Sequence, residues 1–154
     1  MNDMKLDVQD WLPHTPPMLM LSEVLAYTDE SIDGISRIRA DNPLLEGKQF
    51  PCLGGVELLA ELAGVLFGIR NTPHKLTSCS NIAVSNEPPR GAVVQLKSFE
   101  LGDIYVPVGA DLNVHADFIG GSQQAAKMSG TVYFGENRVF EGTLMIALFE
   151  GQVT

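Results

Sequence analysis

The stretch GVELLAELAGVLFGI, residues 55–69, decides how the rest of this 154-residue chain can fold. Apolar side chains occupy almost all sides of the stretch, which predicts a helix from about Val56 to Ile69 that is buried on most of its surface. Pro73 follows shortly afterwards and ends the helical pattern. A helix without a polar face must be covered by other elements, so the flanking sequence has to supply that cover.

The helical stretch has one break in its apolar surface, made of acidic and small residues. These residues are spaced four, three and four positions apart, so they share one side of a helix. We call them the helix stripe: Glu57, Glu61, Gly64 and Gly68.

The sequence on both sides of the helix predicts strands. Two of them precede the helix, Pro17–Thr28 and Ser31–Arg39, joined by a turn at Asp29 and Glu30. After the helix, apolar and polar residues alternate with the period of half-buried strands. The four strands predicted there are Ala92–Leu101, Ala110–Phe118, Gln123–Phe134 and Arg138–Phe149. Residues 40–55 and 72–91 are rich in Pro and Gly or in polar residues and predict loops.

This order of elements indicates one domain over residues 1–154. The alternation predicts an antiparallel sheet with one covered face, and the single apolar helix is its natural cover. We therefore expect the α+β hot-dog fold, in which an antiparallel β-sheet wraps around one long buried helix. The edges of such a sheet stay open, which favours a dimer that joins two sheets edge to edge.

Composition limits the partners that this chain can have. It carries 10 basic and 19 acidic residues, a formal net charge of -9, which disfavours nucleic acid and anionic lipid. The N-terminus lacks the order of a signal peptide, and Val56–Ile69 is too short to span a bilayer, so we expect a cytoplasmic protein without membrane insertion. Cys52 and Cys79 form neither a disulfide framework nor a metal-binding pattern, and no metal or cofactor is expected.

One part of the chain is locally positive. Between residues 62 and 99 the only acidic residue is Glu87. The basic residues there are Arg70, Lys75, Arg90 and Lys97. Two interpretations stay open: ordinary loop charge, or a docking surface for an anionic group such as a carrier phosphopantetheine or coenzyme A.

Three segments resemble a known family. LPHTPPMLML at residues 12–21 is similar to the opening motif of the 3-hydroxyacyl-[acyl carrier protein] dehydratases. Asp41-Asn42-Pro43, leading into a loop with Phe50-Pro51, and GVELLAE at residues 55–61 are similar to two later motifs of that family. Within it, the chain most resembles the divergent dehydratase-like proteins of aryl-polyene pigment clusters.

The resemblance implies a lyase that dehydrates a 3-hydroxyacyl chain, in fatty acid or polyene biosynthesis, held as a thioester on acyl carrier protein or coenzyme A. It implies that Glu57 is the catalytic acid, because this residue stands at the acidic position of the family motif. Buried in the first turn of an apolar helix, its carboxyl would hold a proton near neutrality. The alternative is a carboxylate that only complements the helix dipole.

Four further residues are candidate substrate-binding positions. Gly54 and Gly55 stand where a helix N-terminus offers free N–H groups to a thioester carbonyl; the alternative is an ordinary turn into the helix. Glu61 lies one turn after Glu57, and we interpret it mainly as a structural hydrogen-bonding residue. His14 belongs to the opening motif, where packing or hydrogen bonding is the favoured interpretation over a role as base.

One departure from the family affects the mechanism. The family has a histidine in the sequence Gly-His-Phe-Pro, whereas residues 47–51 here read GKQFP. His115, on the polar side of an alternating strand, is predicted to be exposed. Three functions therefore stay open: a dehydratase, a non-catalytic hot-dog partner subunit or acyl-thioester binding protein, and an acyl thioesterase that needs only Glu57.

The missing histidine also bears on assembly. In the family, the histidine and the acid of one site come from different subunits. The chain is thus expected to form either a homodimer or a heterodimer with a related, histidine-bearing hot-dog subunit.

Overall fold

A computed structural model of the chain describes residues 6–12, 15–71 and 90–149. Its described part contains one long helix and one six-stranded sheet. The elements are β1 (Glu23–Tyr27), β2 (Ser31–Arg37), α1 (Gly55–Asn71), β3 (Arg90–Leu101), β4 (Asp111–Gly121), β5 (Ala125–Phe134) and β6 (Asn137–Phe149). Two short 3-10 helices, Val8–Asp10 and Cys52–Gly54, complete them. The predicted order of two strands, one helix and four strands is confirmed.

The sheet is antiparallel throughout, in the order β1-β2-β4-β5-β6-β3. The long connection through α1 separates β2 from β3, so β3 lies at the far edge and pairs with β6 rather than with β2. The inner face of the sheet receives α1, and the outer face carries alternating polar side chains. The alternation in β4 sets these faces: Leu112, Val114 and Ala116 point inward and are buried.

The first strand is shorter than predicted. It begins at Glu23 and not at Pro17, because residues 16–18 form a turn that the amide of Leu19 closes on the carbonyl of Thr15 at 3.0 Å. Proline has no N–H to contribute to a strand ladder, so the two prolines before Met18 favour a turn there. The helix extends beyond its predicted end to Asn71. Most of the loop predicted over residues 72–91 lies outside the described residues.

Burial of α1 on the sheet forms the core. The residues that share complete or nearly complete burial come from the helix and from β2, β4, β5 and β6: Leu58, Leu59, Leu62, Leu66, Ile32, Leu112, Met128, Phe140 and Leu144. Each side chain of this size contributes about 1.5–3 kcal/mol when it is fully buried. The stretch Cys52–Asn71 is also long and apolar enough to cross a membrane, but 67% of its most apolar window is buried inside the fold, as in a core helix.

Two glycines allow the helix to approach the sheet closely. A Cβ added at Gly55 would lie 2.4 Å from the Cβ of Phe140, and one at Gly130 would lie 2.2 Å from the Cδ1 of Leu59. Real atoms do not approach so closely, so a larger residue at Gly55 must push the start of α1 away from β6. A larger residue at Gly130 must displace the Leu59 side chain and also the carbonyl of His115 on β4, which lies 2.2 Å away. The start of α1 is therefore fixed against β6 by the absence of a side chain at Gly55.

The outer face of the sheet carries a three-residue cluster around His115. Its Nδ1 lies 2.7 Å from Oδ1 of Asp33 on β2, and its Nε2 lies 3.0 Å from Oδ1 of Asp117 on β4. His115 is half-buried, not exposed as predicted, because the carboxylates of both neighbours close over its ring. Both ring nitrogens can donate only when the imidazole is protonated.

We expect replacement of Gly55 by alanine to destabilise the fold by about 1–3 kcal/mol, since the added methyl group forces the helix start away from Phe140. Gly120→Ala is the matched control, because a Cβ there meets nothing within 4 Å and the backbone does not adopt a positive φ. Urea unfolding of both variants measures the difference. Equal midpoints for the two variants would show that the close approach at Gly55 is not required.

His115 should titrate above the ordinary histidine value. Burial lowers its pKa, but the hydrogen bonds and charges of Asp33 and Asp117 outweigh burial and raise that pKa. The resulting stabilisation is complete below the unfolded-state pKa and is lost as the pH rises through the folded-state pKa. Asp33→Asn should lower the His115 pKa seen by NMR, whereas Asp111→Asn, which removes a carboxylate paired with Arg37, should not. An unchanged pKa of His115 in Asp33→Asn would contradict the contact between His115 and Asp33.

Candidate active site

The predicted catalytic acid, Glu57, lies in the first turn of α1 and is exposed. The expectation that the chain itself buries this carboxyl was wrong. The apolar faces of α1 turn toward the sheet, and the side that carries Glu57 is left open at the beginning of the helix. The described residues thus leave the carboxyl of Glu57 accessible from outside.

The amides of Gly54 and Gly55 already have partners in the structure. The N–H of Gly54 donates to the carbonyl of Pro51 at 2.8 Å, and the N–H of Gly55 donates to the carbonyls of Cys52 and Leu53. These bonds form the 3-10 turn that leads into α1. The amides of Cys52 and Leu53 come before the first hydrogen bond of that turn and are the candidates for donors to a ligand. A role for Gly54 and Gly55 stays a prediction that requires the turn to open.

Close packing explains why glycine occupies position 54. A Cβ there would lie 2.6 Å from Cζ of Phe50, whose ring is completely buried. Phe50 belongs to the GKQFP segment, in which Lys48 is exposed and Gln49 is half-buried. The amide of Phe50 donates to the carbonyl of Val106 at 2.9 Å, so this segment is fastened beside the helix start. The position at which the family carries its histidine is thus near α1 but holds no imidazole.

The buried carboxyl of the helix stripe is Glu61, not Glu57. Only 6% of Glu61 is exposed, and its Oε1 accepts the N–H of Met20 at 2.9 Å and of Leu21 at 3.3 Å. Burial raises the pKa of Glu61 to about 7; the two amides lower it and the charge of Glu57 raises it further. The hydrogen-bonding role predicted for Glu61 is what the structure shows, with the backbone of residues 20–21 as its partner.

The rest of the helix stripe receives the N-terminal segment. A Cβ at Gly64 would meet Cδ2 of Leu12 at 3.3 Å, and one at Gly68 would meet Cε3 of Trp11 at 2.9 Å. Gly64 and Gly68, one turn apart, thus leave space on the helix surface for the segment that precedes β1. The sequence predicted the helix stripe but not the segment that packs on it. Residue spacing identifies one side of a helix, but it does not identify what that side contacts.

The start of α1 borders an exposed apolar surface at the β3 edge of the sheet. Phe99 stacks on Phe140 at a centroid distance of 6.1 Å, and Phe140 contacts the helix start at Gly55. We call the exposed apolar residues around this junction the edge patch: Leu53 (50% exposed), Phe99 (48%), Leu101 (43%) and Tyr105 (58%). An apolar surface beside an unpaired strand edge is typical of a subunit interface.

Histidine is missing from this side of the described structure. His115 is the only histidine in residues 6–12, 15–71 and 90–149, and it lies on the outer face, across the sheet from α1. His14, the histidine considered as a base in the sequence analysis, lies outside the described residues. Within the described ranges no group of three His, Cys, Asp or Glu residues could hold a metal ion.

The locally positive part of the chain is described only at some of its residues. The guanidinium of Arg70 lies 3.5 Å from the ring centroid of Phe118 and also donates to the carbonyl of Asp29. Arg70 is therefore held at the end of α1 by contacts within the chain. Lys75 and the side chain of Arg90 lie outside the described part, and a docking surface there stays a prediction.

Glu61→Gln should remove the part of the pH dependence of stability that Glu61 contributes between pH 4.5 and about 7. Because its pKa is raised from 4.5 to about 7, the wild type loses up to about 3 kcal/mol as the pH rises through that range. Glutamine keeps an oxygen for the two amides and cannot ionise. Urea unfolding between pH 5 and 8 tests this, with Glu136→Gln, an exposed carboxyl in the turn between β5 and β6 that does not act on Glu61, as control. Parallel curves for wild type and Glu61→Gln would contradict the burial argument.

Comparison with solved structures identifies the fold. The chain is similar to the dehydratase heterocomplex ApeI:P from Xenorhabdus doucetiae, with a TM-score of 0.77 and 18% identity over 94% of this chain and 92% of that one. It is also similar to the protein PH1136 from Pyrococcus horikoshii, with a TM-score of 0.63 and 13% identity over 97% and 98% of the two chains. At these identities the likeness shows the fold alone, and the predicted hot-dog fold is confirmed.

Comparison with known sequences identifies the family. The chain is 38% identical over 71 residues to the 3-hydroxyacyl-[acyl-carrier-protein] dehydratase FabZ of Streptococcus equi subsp. zooepidemicus, which is 43% of this chain and 50% of that protein. It is also 38% identical over 65 residues to FabZ of Streptococcus uberis, 39% and 46% of the two chains. The chain thus spans about half the length of the curated relatives that it matches. The family model described as ApeP-like, ApeP dehydratase, matches residues 6–150. Because that match covers nearly all of the sequence, the chain belongs to the ApeP-like dehydratase family, a hot-dog dehydratase family with distant similarity to FabZ.

Proposed function

We propose that this protein is one subunit of a dehydratase that acts on 3-hydroxyacyl chains carried as thioesters on acyl carrier protein in polyene synthesis. Its site is completed by a related hot-dog subunit that brings a histidine. The observation that carries the proposal is the exposed Glu57 at the start of α1, beside an apolar sheet edge, on a side where the described residues hold no histidine.

The chemistry requires two proton-transfer groups. A base removes a proton from the α carbon of the acyl chain, and an acid protonates the departing β-hydroxyl, so that a carbon–carbon double bond forms and water leaves. Glu57 would be the acid, because its position in the first turn of α1 allows it to reach a substrate from outside the chain. Amides at the helix start would stabilise the negative charge that develops on the thioester oxygen.

A partner subunit would supply what the isolated chain lacks. A second sheet that continues from β3 would cover the edge patch and enclose the start of α1. Covering Glu57 would remove water from its carboxyl and favour the protonated form that an acid needs. The partner's histidine would then act as the base. The relative solved as a dehydratase heterocomplex of two named components supports an assembly of unlike subunits for this chain as well.

Complementation tests the proposal. The chain is assayed alone, and then mixed with a histidine-bearing relative whose own acid has been replaced, with a 3-hydroxyacyl and a saturated acyl thioester on both acyl carrier protein and coenzyme A. We expect enoyl product only in the mixture and faster turnover on acyl carrier protein. Free thiol from the saturated substrate would identify a thioesterase instead. Absence of turnover in all mixtures would indicate a binding subunit.

Glu57→Gln should lower dehydration in the mixture by about a hundredfold to ten-thousandfold, the usual contribution of general acid–base catalysis. Glu136→Gln, in the turn between β5 and β6, is the matched control and should retain the wild-type rate. Size-exclusion chromatography of the mixture checks that both variants still assemble. Full activity of Glu57→Gln would remove this residue from the mechanism.

A further inference from the structure

The buried carboxyl of Glu61 has one oxygen that the fold uses and one that it leaves without a partner. Oε1 accepts the two amides of residues 20–21, whereas Oε2 is buried and has no hydrogen-bond partner among the described residues. The function proposed above does not use this group. Its position, one helical turn after Glu57, nevertheless places it next to the proposed site.

Burial favours the protonated state of this carboxyl. An ionised Glu61 would hold a negative charge away from water with one oxygen unpaired, and two amide donors offset only part of that cost. The protonated form leaves the acceptor at Oε1 in place and removes the charge. The raised pKa of Glu61, about 7, has burial as its largest cause and agrees with this geometry.

The backbone that Glu61 binds is held from the other side as well. The hydroxyl of Ser36, completely buried on β2, donates to the carbonyl of Met20 at 2.6 Å. Residues 20–21 thus connect α1 to β2. Glu61 therefore fixes the first two turns of the helix, and Glu57 with them, relative to the sheet.

Glu57 is the charged group of the described chain that acts on Glu61, and it raises the pKa of Glu61. Side chains four positions apart on a helix are neighbours, so an ionised Glu61 places a second negative charge beside Glu57. Dehydration develops negative charge on the thioester oxygen at the same end of the helix. A further anion nearby would oppose that charge and slow the reaction.

We propose that Glu61 is a positioning residue that holds its proton at Oε2 while it fastens residues 20–21 to α1, and that its ionisation sets the upper pH limit of turnover. The proposal rests on the dehydratase function proposed above. Glu61 touches no substrate in this scheme and acts through the helix and through Glu57.

The pH profile of kcat/KM tests the inference in the assembly that dehydrates. The ratio of kcat/KM at pH 6.5 to that at pH 8.5 should be about 25-fold larger for wild type than for Glu61→Gln, since each pH unit above the transition lowers the protonated fraction about tenfold. Glu141→Gln, on the outer face, is the control and should follow the wild-type profile. Identical ratios for wild type and Glu61→Gln would overturn the inference, even if the overall rate falls.

A second measurement separates this inference from the proposed function. In wild type labelled with 13C at the glutamate carboxyls, Glu61 should titrate near neutrality. In Glu61→Gln this titration near neutrality should be absent from the spectra. Titration of Glu61 near its ordinary value of 4.5 overturns the inference whatever the activity. Absence of turnover in every assembly, with the titration of Glu61 near neutrality intact, would remove the proposed function and the pH limit, but not the proton at Glu61.

Discussion

Burial of one apolar helix is the constraint on which this structure depends. The inner face of a single sheet can cover only part of α1, and the leucines on its other sides require further cover. Two features of the described chain provide this cover. The sheet curves around the helix, with Gly55 and Gly130 allowing close contact, and the N-terminal segment lies on the helix stripe. Both leave the first turn of the helix open.

The open first turn of α1 explains why the two carboxyls of the helix stripe differ in burial and in contacts. Glu61 lies where the N-terminal segment crosses the helix, so its carboxyl becomes part of the core and bonds to backbone. Glu57 lies one turn beyond that cover and remains accessible. The same helix thus presents one carboxyl that supports the fold and one that can react with something outside the chain. The apolar edge patch beside it is suited to a second subunit.

Hydrophobic periodicity predicted most of the fold because the burial pattern of α1 and of β4 to β6 follows the geometry of single elements. It could not predict how residues far apart in sequence combine. Glu57 and Glu61 occupy equivalent places in the helical pattern, and only the path of residues 15–22 distinguishes the exposed carboxyl from the buried one. His115 was predicted as an exposed strand residue because its partner Asp33 lies 82 positions away. The occupied amides of Gly54 and Gly55 depend on a tight turn that a glycine pair alone does not specify.

The pairing of β3 with β6 has a consequence for synthesis of the chain on the ribosome. β3 follows the helix, yet its neighbour in the sheet is the C-terminal strand, Asn137–Phe149. Until that strand has left the exit tunnel, β3 has no ladder partner within the sheet and the Phe140 side of α1 is uncovered. Nascent chains of this topology expose an apolar helix and a free strand for most of their elongation, a state that favours chaperone binding or aggregation. The sheet therefore becomes complete only after residues 137–149 have been synthesised, and slow translation of this strand would prolong the vulnerable interval.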